Sequence, residues 1–486
     1  MTFRSVISVV LIFFSTVCEG QELPRVLIIT GNGNDPYQKK EYPPWIHEFQ
    51  NDKVIEILQG IATVEVSDDL SVLHPDRLAA FDLVISNSIF LTPSEEQLNA
   101  LYEFVANGKA YFTIHCGILS LLNWDRYEEF MGAIFIGGPA TVPERFKVST
   151  TNMEFWGYTY PFRKNRPEHP VSLATDDFFT KDELYFIEPK TRDFHVIARA
   201  ENHPVMWWHP VGRGKVMSLT LGHDEEAKNN PGYQALLRHG VQWLTGMPLI
   251  YGAQPRKAST RQLTYDDFMT LKAATHLEDS DIRFEIIENS KSEVFEAETT
   301  PSGKVTLRLT GKPGKGTFVV KATEKNGFSS TKEYRVEVVK DGTGNIASYH
   351  GNTATISSAE NESPMFHADN LIDEDPTTRW SSAPGDTAWI AVDLQQVYAV
   401  RKLVLSWEGA SAKEYSVLAS RDGKAWNTVA TVSDGDGDRD ELSLDSTPMR
   451  YVKVLATKRV NERWGYSLFE VEAYGAPADG SGLIGD

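Results

Sequence analysis

A chain of 486 residues is longer than one hydrophobic core usually organises, so several domains are expected. With 41% hydrophobic and 24% charged residues it has the composition of a globular protein, not of a disordered or fibrous one. A formal net charge of −19 without any large basic block argues against nucleic acid and anionic membranes as main partners, while neutral carbohydrate is compatible with it.

Residues 1–20 read as an export signal. Arg4 gives a positive start, and the apolar run from Val6 to Phe14 is too short to span a bilayer. Cys18-Glu-Gly20 sets up a cut before Gln21. A buried N-terminal helix is the plainer alternative, and a lipid anchor on Cys18 is another that Val17 fits poorly. No later run is long enough to span a membrane, so an exported, soluble, periplasmic or extracellular protein is expected. Cys116 is then the single remaining cysteine, which leaves no intrachain disulfide.

From residue 24 to about 250 the pattern alternates strand and helix. Arg25–Thr30 is a buried strand leading into Gly31-Asn-Gly-Asn34, whose spacing is not that of a phosphate-binding loop. Trp45–Gly60 has helical spacing. Ala62–Ser67 is a second strand, and Pro75–Ala80 a short helix with proline at its start. Phe81–Ser86 is a third strand. Thr92, with Pro93 and Glu95 behind it, reads as the capping box of a helix running to Asn107. Lys109–Ile114 is a fourth strand, ending at His115-Cys-Gly117. Gly212–Lys215 is a turn, Val216–Leu221 a strand, and His223-Asp224 its polar tip. Pro231–Thr245 is a closing helix. This order predicts a mostly parallel sheet covered by helices on both faces, with chemistry at the carboxyl ends of the strands.

Pro255–Thr264 reads as a linker. Alternating runs at Lys304–Thr310, Gly316–Ala322 and Lys332–Val338 predict a small β-sandwich of immunoglobulin type, acting as a spacer. Lys340–Gly344 is a hinge, and a second sandwich follows to about residue 475. The predicted layout is a signal peptide at 1–20, an α/β domain at 21–250, a linker and sandwich at 251–342, a last domain at 343–476 and a flexible tail at 477–486.

His115, His223, Asp224 and Glu183 are the candidate catalytic residues of the α/β domain. A histidine with a carboxylate can act as a base and its orienting partner. Two histidines with carboxylates can instead hold a divalent metal. The plain alternative is that these groups tie loops together, and Asp224 can equally cap a turn. Tyr185 can donate to a sugar hydroxyl. Trp207 and Trp124 can offer a stacking platform or belong to the core, and His169 opens a nearby loop.

Several stretches taken together resemble the ThuA-like family, named for trehalose utilisation. They are Ile114–Gly117, Asn123–Tyr127, His169-Pro-Val171, Asp182–Tyr185, Pro204–Trp207, Gly212–Lys215 and Gly222-His-Asp224. The resemblance implies a flavodoxin-like α/β fold of the class I glutamine amidotransferase kind. It puts His115 at the tight turn where those relatives carry a nucleophilic cysteine. Cys116, one residue on, would point elsewhere and is expected to pack as a small hydrophobe. Family members commonly carry a histidine where this chain reads Ile136-Gly-Gly-Pro139. The activity implied is sugar metabolism, including oxidised 3-keto glycosides.

Ala368–Trp380, Trp389–Leu394, Tyr415–Trp426, Arg450–Val454 and Trp464–Gly475 resemble the F5/8 type C, or discoidin, domain. That resemblance implies a galactose-binding-like β-sandwich and a structural calcium held by Asp373, Asp375, Thr378 and Glu470. Here Asp373-Glu374 replaces the usual Asp-Gly. It also implies glycan binding at one end, for which His350, Trp407, Arg463 and Trp464 are candidates, with Trp380 and Trp389 in the core. The overall expectation is an exported carbohydrate-active protein, a hydrolase or lyase, with a glycan-binding module. The alternatives are a non-catalytic adhesion protein with a degenerate first domain and an amidotransferase-type hydrolase using Cys116.

Overall fold

The structure, a computed structural model, describes residues 22–37, 46–138, 144–150, 169–200, 203–252, 255–262, 264–275, 281–290, 292–362, 366–376 and 378–478. The signal segment, Cys18, Pro139 and the tail beyond residue 478 lie outside the described residues. The chain divides into two compact units. One comprises Met1–Leu249 with Thr275–Ser280 and Glu324–Phe328, and the other the remainder.

The first unit is built on strands β1 (Arg25–Asn32), β2 (Thr63–Ser67), β3 (Leu83–Ile89), β4 (Ala110–Ile114), β5 (Ala133–Gly137), β6 (Glu144–Ser149), β7 (Phe178–Asp182), β8 (Phe186–Pro189), β9 (His195–Ala200), β10 (His203–Val211) and β11 (Gly214–Leu219). Nine of them form one sheet in the order β2-β1-β3-β4-β11-β10-β9-β6-β7. The first five are parallel neighbours, and from β11 onward the pairing is antiparallel. Strands β3 and β4 are buried at every residue, as a central parallel strand covered on both faces must be. The order reverses between β1 and β3, the switch point where open α/β sheets gather ligands.

The helices are α1 (Asn51–Leu58), α2 (Pro75–Leu78), α3 (Glu95–Ala106), α4 (Tyr127–Met131), α5 (Pro170–Ala174), α6 (Glu225–Asn229) and α7 (Pro231–Leu244). Two differ from expectation. The capping box of α3 is Ser94 with Gln97, two residues later than predicted. Gln97 at N3 closes the box and also donates to the Leu70 carbonyl at 2.7 Å. The helix predicted from Trp45 begins only at Asn51, because Gln50 takes a left-handed conformation (φ 43°). Residues 46–50 are therefore free of helix, which matters for the site.

In the second unit a four-stranded sheet and a three-stranded sheet face each other over Phe295, Leu307, Phe318, Tyr334 and Val336. Ala258–Ser259, expected in a linker, pairs in parallel with Val338–Val339 and belongs to the first of these sheets. The last domain is a seven-stranded β assembly spanned by two long strands, Ala388–Trp407 and Arg439–Arg459. Trp380 and Trp407 are buried in its core. The Trp407 indole donates to Asp440 at 2.9 Å, so it is not available to a sugar. Trp389, expected in the core, is half-buried and carries the Lys453 ammonium 4.7 Å from its ring centre. Among the described residues no helix is long and apolar enough to cross a membrane.

Candidate functional site

Four side chains converge at the carboxyl edge of the parallel strands: His47, His115, Glu183 and His223. Each arrives by a different route. His115 follows β4 in a left-handed conformation (φ 46°), which an L residue adopts at a cost and which turns its ring away from the strand line. The ring is buried, and its Nδ1 donates to the Thr220 carbonyl at 2.8 Å. A carbonyl can only accept, so in the neutral ring the lone pair is on Nε2, facing the cluster.

His223 and Glu183 are placed by a shared acid. Asp182 ends β7 and is fully buried. Its carboxylate accepts the backbone N–H of Gly222 (2.8 Å), of His223 (3.0 Å) and of Glu183 (2.8 Å). Gly222 sits at φ +101°, and a Cβ there would come within 2.7 Å of the Tyr233 ring. Its carbonyl accepts from Lys228, a buried lysine that also donates to Gln50 Oε1 at 2.9 Å. The Gly222 peptide is thus held at both polar ends. Asp182 opened one of the stretches that carry the family resemblance but was no candidate site residue, and Lys228 was not singled out from the sequence.

His47 enters on the non-helical stretch before α1. Its N–H donates to Asn32 Oδ1 (2.8 Å), and Asn32 Nδ2 donates to its carbonyl (3.0 Å). Asn87 Nδ2 holds the Phe49 carbonyl at 2.9 Å. Nothing in the local sequence marked His47, because apolar spacing around it suggested a helix.

The polar atoms of the cluster are close. Glu183 Oε2 lies 3.0 Å from His223 Nδ1 and 3.4 Å from His115 Nε2. The two histidine nitrogens are 3.3 Å apart. The ring centres of His47, His115 and His223 are 5.0, 5.0 and 5.2 Å apart, with interplanar angles of 75° to 83°. Tyr185, also buried, puts its hydroxyl 3.3 Å from His115 Nε2 and 3.2 Å from Cys116 Sγ.

Charge follows this geometry. Burial would raise the Glu183 carboxyl, but His115 and His223 beside it outweigh burial and bring it down to about 2. Burial disfavours the His115 imidazolium, yet Cys116, Glu183 and Asp182 more than offset it and lift it to about 10. Burial, reinforced by His115, His223 and Lys228, lowers His47 to about 3. Burial likewise lowers Lys228 to about 8. The arrangement can move a proton, and its donor set can hold a metal.

Of the residues singled out from the sequence, His115, Glu183, His223 and Tyr185 lie together. Others lie elsewhere. Asp224 is the N-cap of α6, its carboxylate accepting the Ala227 N–H at 2.8 Å. Trp207 is fully buried in the core against Phe194. Trp124 packs on Phe130 and Tyr102. His169 caps α5 through Nδ1, accepting the Val171 N–H, and packs on Trp243. These three rings are committed to packing and form no platform over the cluster. Cys116 is buried in the same core, one residue past the turn that His115 occupies.

In the last domain Trp464 is 53% exposed beside exposed Arg463, on a turn that Asn461 fixes by accepting the Arg463 N–H at 3.0 Å. His350 is half-buried, and its backbone bonds to Lys257 and Gln262. Asp373 accepts from Thr378 Oγ1 (2.8 Å) and from the Asp375 N–H (3.0 Å). Among the described residues, neither buried carboxylate oxygen of Glu470 has a hydrogen-bond partner. Burial, then the charge of Asp373, pushes Glu470 up to about 9.

Comparison with known proteins agrees with this division. Residues 25–244 match the family model ThuA, described as trehalose utilisation, and residues 352–471 match the F5/8 type C domain. A ThuA-like protein from Bacteroides uniformis is similar at 16% identity over 46% of this chain and 93% of that chain, with a TM-score of 0.35. A chitosan-binding module in complex with chitotriose, from a chitosanase/glucanase of Paenibacillus sp. IK-5, is 34% identical over 27% of this chain and all (100%) of that chain, with a TM-score of 0.25. A polysaccharide lyase 8 family protein, HylA, of Enterococcus faecalis is 28% identical over 118 residues. The match takes in 23% of this chain and only 8% of that relative's length. The chain thus carries a domain of the ThuA family over residues 25–244 and an F5/8 type C domain over residues 352–471.

Proposed function

We propose that the ThuA domain acts on a glycoside or a 3-keto sugar by acid–base chemistry, as a hydrolase or lyase, while the F5/8 type C domain holds the protein on a glycan. The convergence of His115, Glu183, His223 and Tyr185 at the strand ends carries this reading. His223 is the partly exposed member, with 27% of its side chain open to solvent. It is the group a substrate can reach. The Glu183 carboxylate, 3.0 Å from His223 Nδ1, stabilises the imidazolium formed when His223 takes a proton. The Tyr185 hydroxyl, which burial keeps protonated, is a hydrogen-bond donor to a substrate oxygen. A positioned base of this kind is worth roughly 10²–10⁴-fold in rate. His223→Ala should therefore abolish turnover of a panel of oligosaccharides and their 3-keto derivatives while the melting temperature stays near that of the parent. Full activity, or an unfolded variant, would sink the proposal.

The glycan-binding role rests on the F5/8 type C match and on the exposed Trp464 with Arg463, an apolar ring face beside a hydrogen-bond donor. Tethering raises the effective concentration of substrate at the first domain. The same domain has residues that fit a structural calcium. Calcium takes oxygen donors, and Asp373, Asp375, Thr378 and Glu470 supply oxygen only. The two orphaned Glu470 oxygens are what such an ion would satisfy. The middle sandwich we read as an immunoglobulin-type spacer, and the apolar Val6–Phe14 segment as an export signal to the periplasm or exterior.

One observation favours a second reading, a non-catalytic glycan-binding or adhesion protein. Where relatives carry a histidine the chain has Ile136 and Gly137 at the end of β5. The same panel decides between the two, since this reading requires binding without turnover.

A further inference from the structure

We infer that His47, His115, Glu183 and His223 form a binding site for one divalent transition metal ion. Its use in catalysis rests on the reading of this cleft given above; the binding of the ion does not. Three observations lead to it.

The first is spacing. With metal–ligand bonds of about 2.0–2.1 Å, neighbouring ligands sit about 2.9 Å apart around an octahedral ion and about 3.4 Å apart around a tetrahedral one. The Glu183–His223, His115–His223 and Glu183–His115 separations are 3.0, 3.3 and 3.4 Å. All four ligand atoms lie within 4.8 Å of one another.

The second is an unsatisfied acceptor. Glu183 Oε2 is buried and has no hydrogen-bond partner among the described residues, although two imidazole nitrogens lie within 3.4 Å. One proton on His115 Nε2 can serve only one of its three close neighbours, Glu183, His223 Nδ1 and the Tyr185 hydroxyl. An ion among them satisfies the nitrogens and the carboxylate together.

The third is the outer support. His115 donates its far nitrogen to a backbone carbonyl, the arrangement that fixes a metal-binding tautomer. His47 and His223 are each pinned through their own backbone, His47 by Asn32 and His223 by Asp182. Three imidazoles with one carboxylate suit zinc, iron, cobalt, nickel or copper, and not calcium or magnesium. Four protein donors leave room for a substrate oxygen on a five- or six-coordinate ion. His47 is the member that separates this centre from an acid–base triad, because the proton chemistry proposed above does not need it.

The test uses the full chain, stripped by chelator and titrated with cobalt(II) at neutral pH, with bound ion counted by elemental analysis. One cobalt per chain with visible absorption bands is expected. His47→Ala should weaken binding by more than about 100-fold, the upper effect of an outer-shell change. The melting curve of the ion-free protein should not move. His47→Gln is the second variant should the alanine form fold poorly. Half-exposed His74, changed to Ala, should leave binding intact. No bound cobalt, or binding by both His47 variants as tight as the parent's, would overturn the assignment. Turnover is measured separately. A chain that binds cobalt but turns over no glycoside keeps the centre and loses the catalytic reading, and a stripped chain that stays active without cobalt binding does the reverse.

Discussion

Asp182→Asn is the sharpest perturbation of the site, because it changes one atom of a fully buried residue. The carboxylate accepts two N–H groups on Oδ1, from Glu183 and His223, and one on Oδ2, from Gly222. An amide has a single acceptor oxygen. If that oxygen keeps the Oδ1 pair, an NH2 group faces the Gly222 N–H at a former hydrogen-bond distance. A buried donor left unpaired costs about 1–3 kcal/mol. Two bonds that were charge-assisted become neutral, and such bonds exceed neutral ones by up to about 1–1.5 kcal/mol each. Full burial leaves no solvent to soften the loss, so destabilisation of roughly 2–5 kcal/mol is expected. Relief of the contact would turn the Gly222 peptide and carry His223 with it. Urea unfolding of the ThuA domain, read beside cobalt(II) titration, should show both losses together. There is a definite way to be wrong. Burial raises the Asp182 carboxyl. Were it protonated in the folded state, it would already present an O–H, and Asn would be a near-neutral replacement. A stability change below about 0.5 kcal/mol would refute the reasoning.

Three other outcomes are expected. His209 is buried beside Gly132, and burial lowers it to about 4 from the usual 6.5. The unfolded chain binds the extra proton between those values, so stability is lost as pH falls from about 6.5 towards 4, by about 2 kcal/mol at pH 5. Unfolding at pH 7 and pH 5 should show a steeper fall in the parent than in His209→Gln. Calcium at about a hundred times its dissociation constant should stabilise the F5/8 type C domain by about 2.7 kcal/mol, and Glu470→Gln should erase that response in calorimetry. Trp464→Ala should weaken the binding of any oligosaccharide that the parent's F5/8 type C domain takes up by about tenfold without moving the melting temperature, the loss of one stacking contact. Unchanged affinity by titration calorimetry would remove Trp464 from the glycan site.

The parallel half of the sheet was legible because its strands are continuous apolar runs, which is what burial on both faces demands. The strands from β5 to β10 carry mixed patterns such as Glu144-Arg-Phe-Lys-Val-Ser149, and gave no comparable signal. His115, Glu183, His223 and Tyr185 could be singled out because strand ends and a family pattern mark them. His47 could not. Its segment has helical spacing, and only the left-handed Gln50 reveals that the helix starts later. Trp207 and Trp124 illustrate the opposite error. An aromatic ring reads alike whether it faces a ligand or a core, and here both face the core. Asp224 had two roles open to it, and Asp-Glu-Glu-Ala227 before a short helix is as much a cap as a catalytic motif.

The cleft is held by two charges of opposite sign, Asp182 and Lys228, both closed off from solvent. Asp182 fixes the N–H of Gly222, His223 and Glu183, and Lys228 fixes the Gly222 carbonyl and, through Gln50, the stretch that carries His47. Burying either charge costs several kcal/mol before its hydrogen bonds are counted. Apolar residues of similar size would pack there at lower cost. What apolar residues cannot do is orient three N–H groups and two oxygens on separate loops at once. Placement, not stability, is then what Asp182 and Lys228 supply. It follows that replacing a donor such as His47 should leave the frame standing, whereas replacing Asp182 or Lys228 should shift His223, Glu183 and His47 together. That asymmetry separates a preorganised site from a cluster that merely ties loops, which would lose most when its own members are removed.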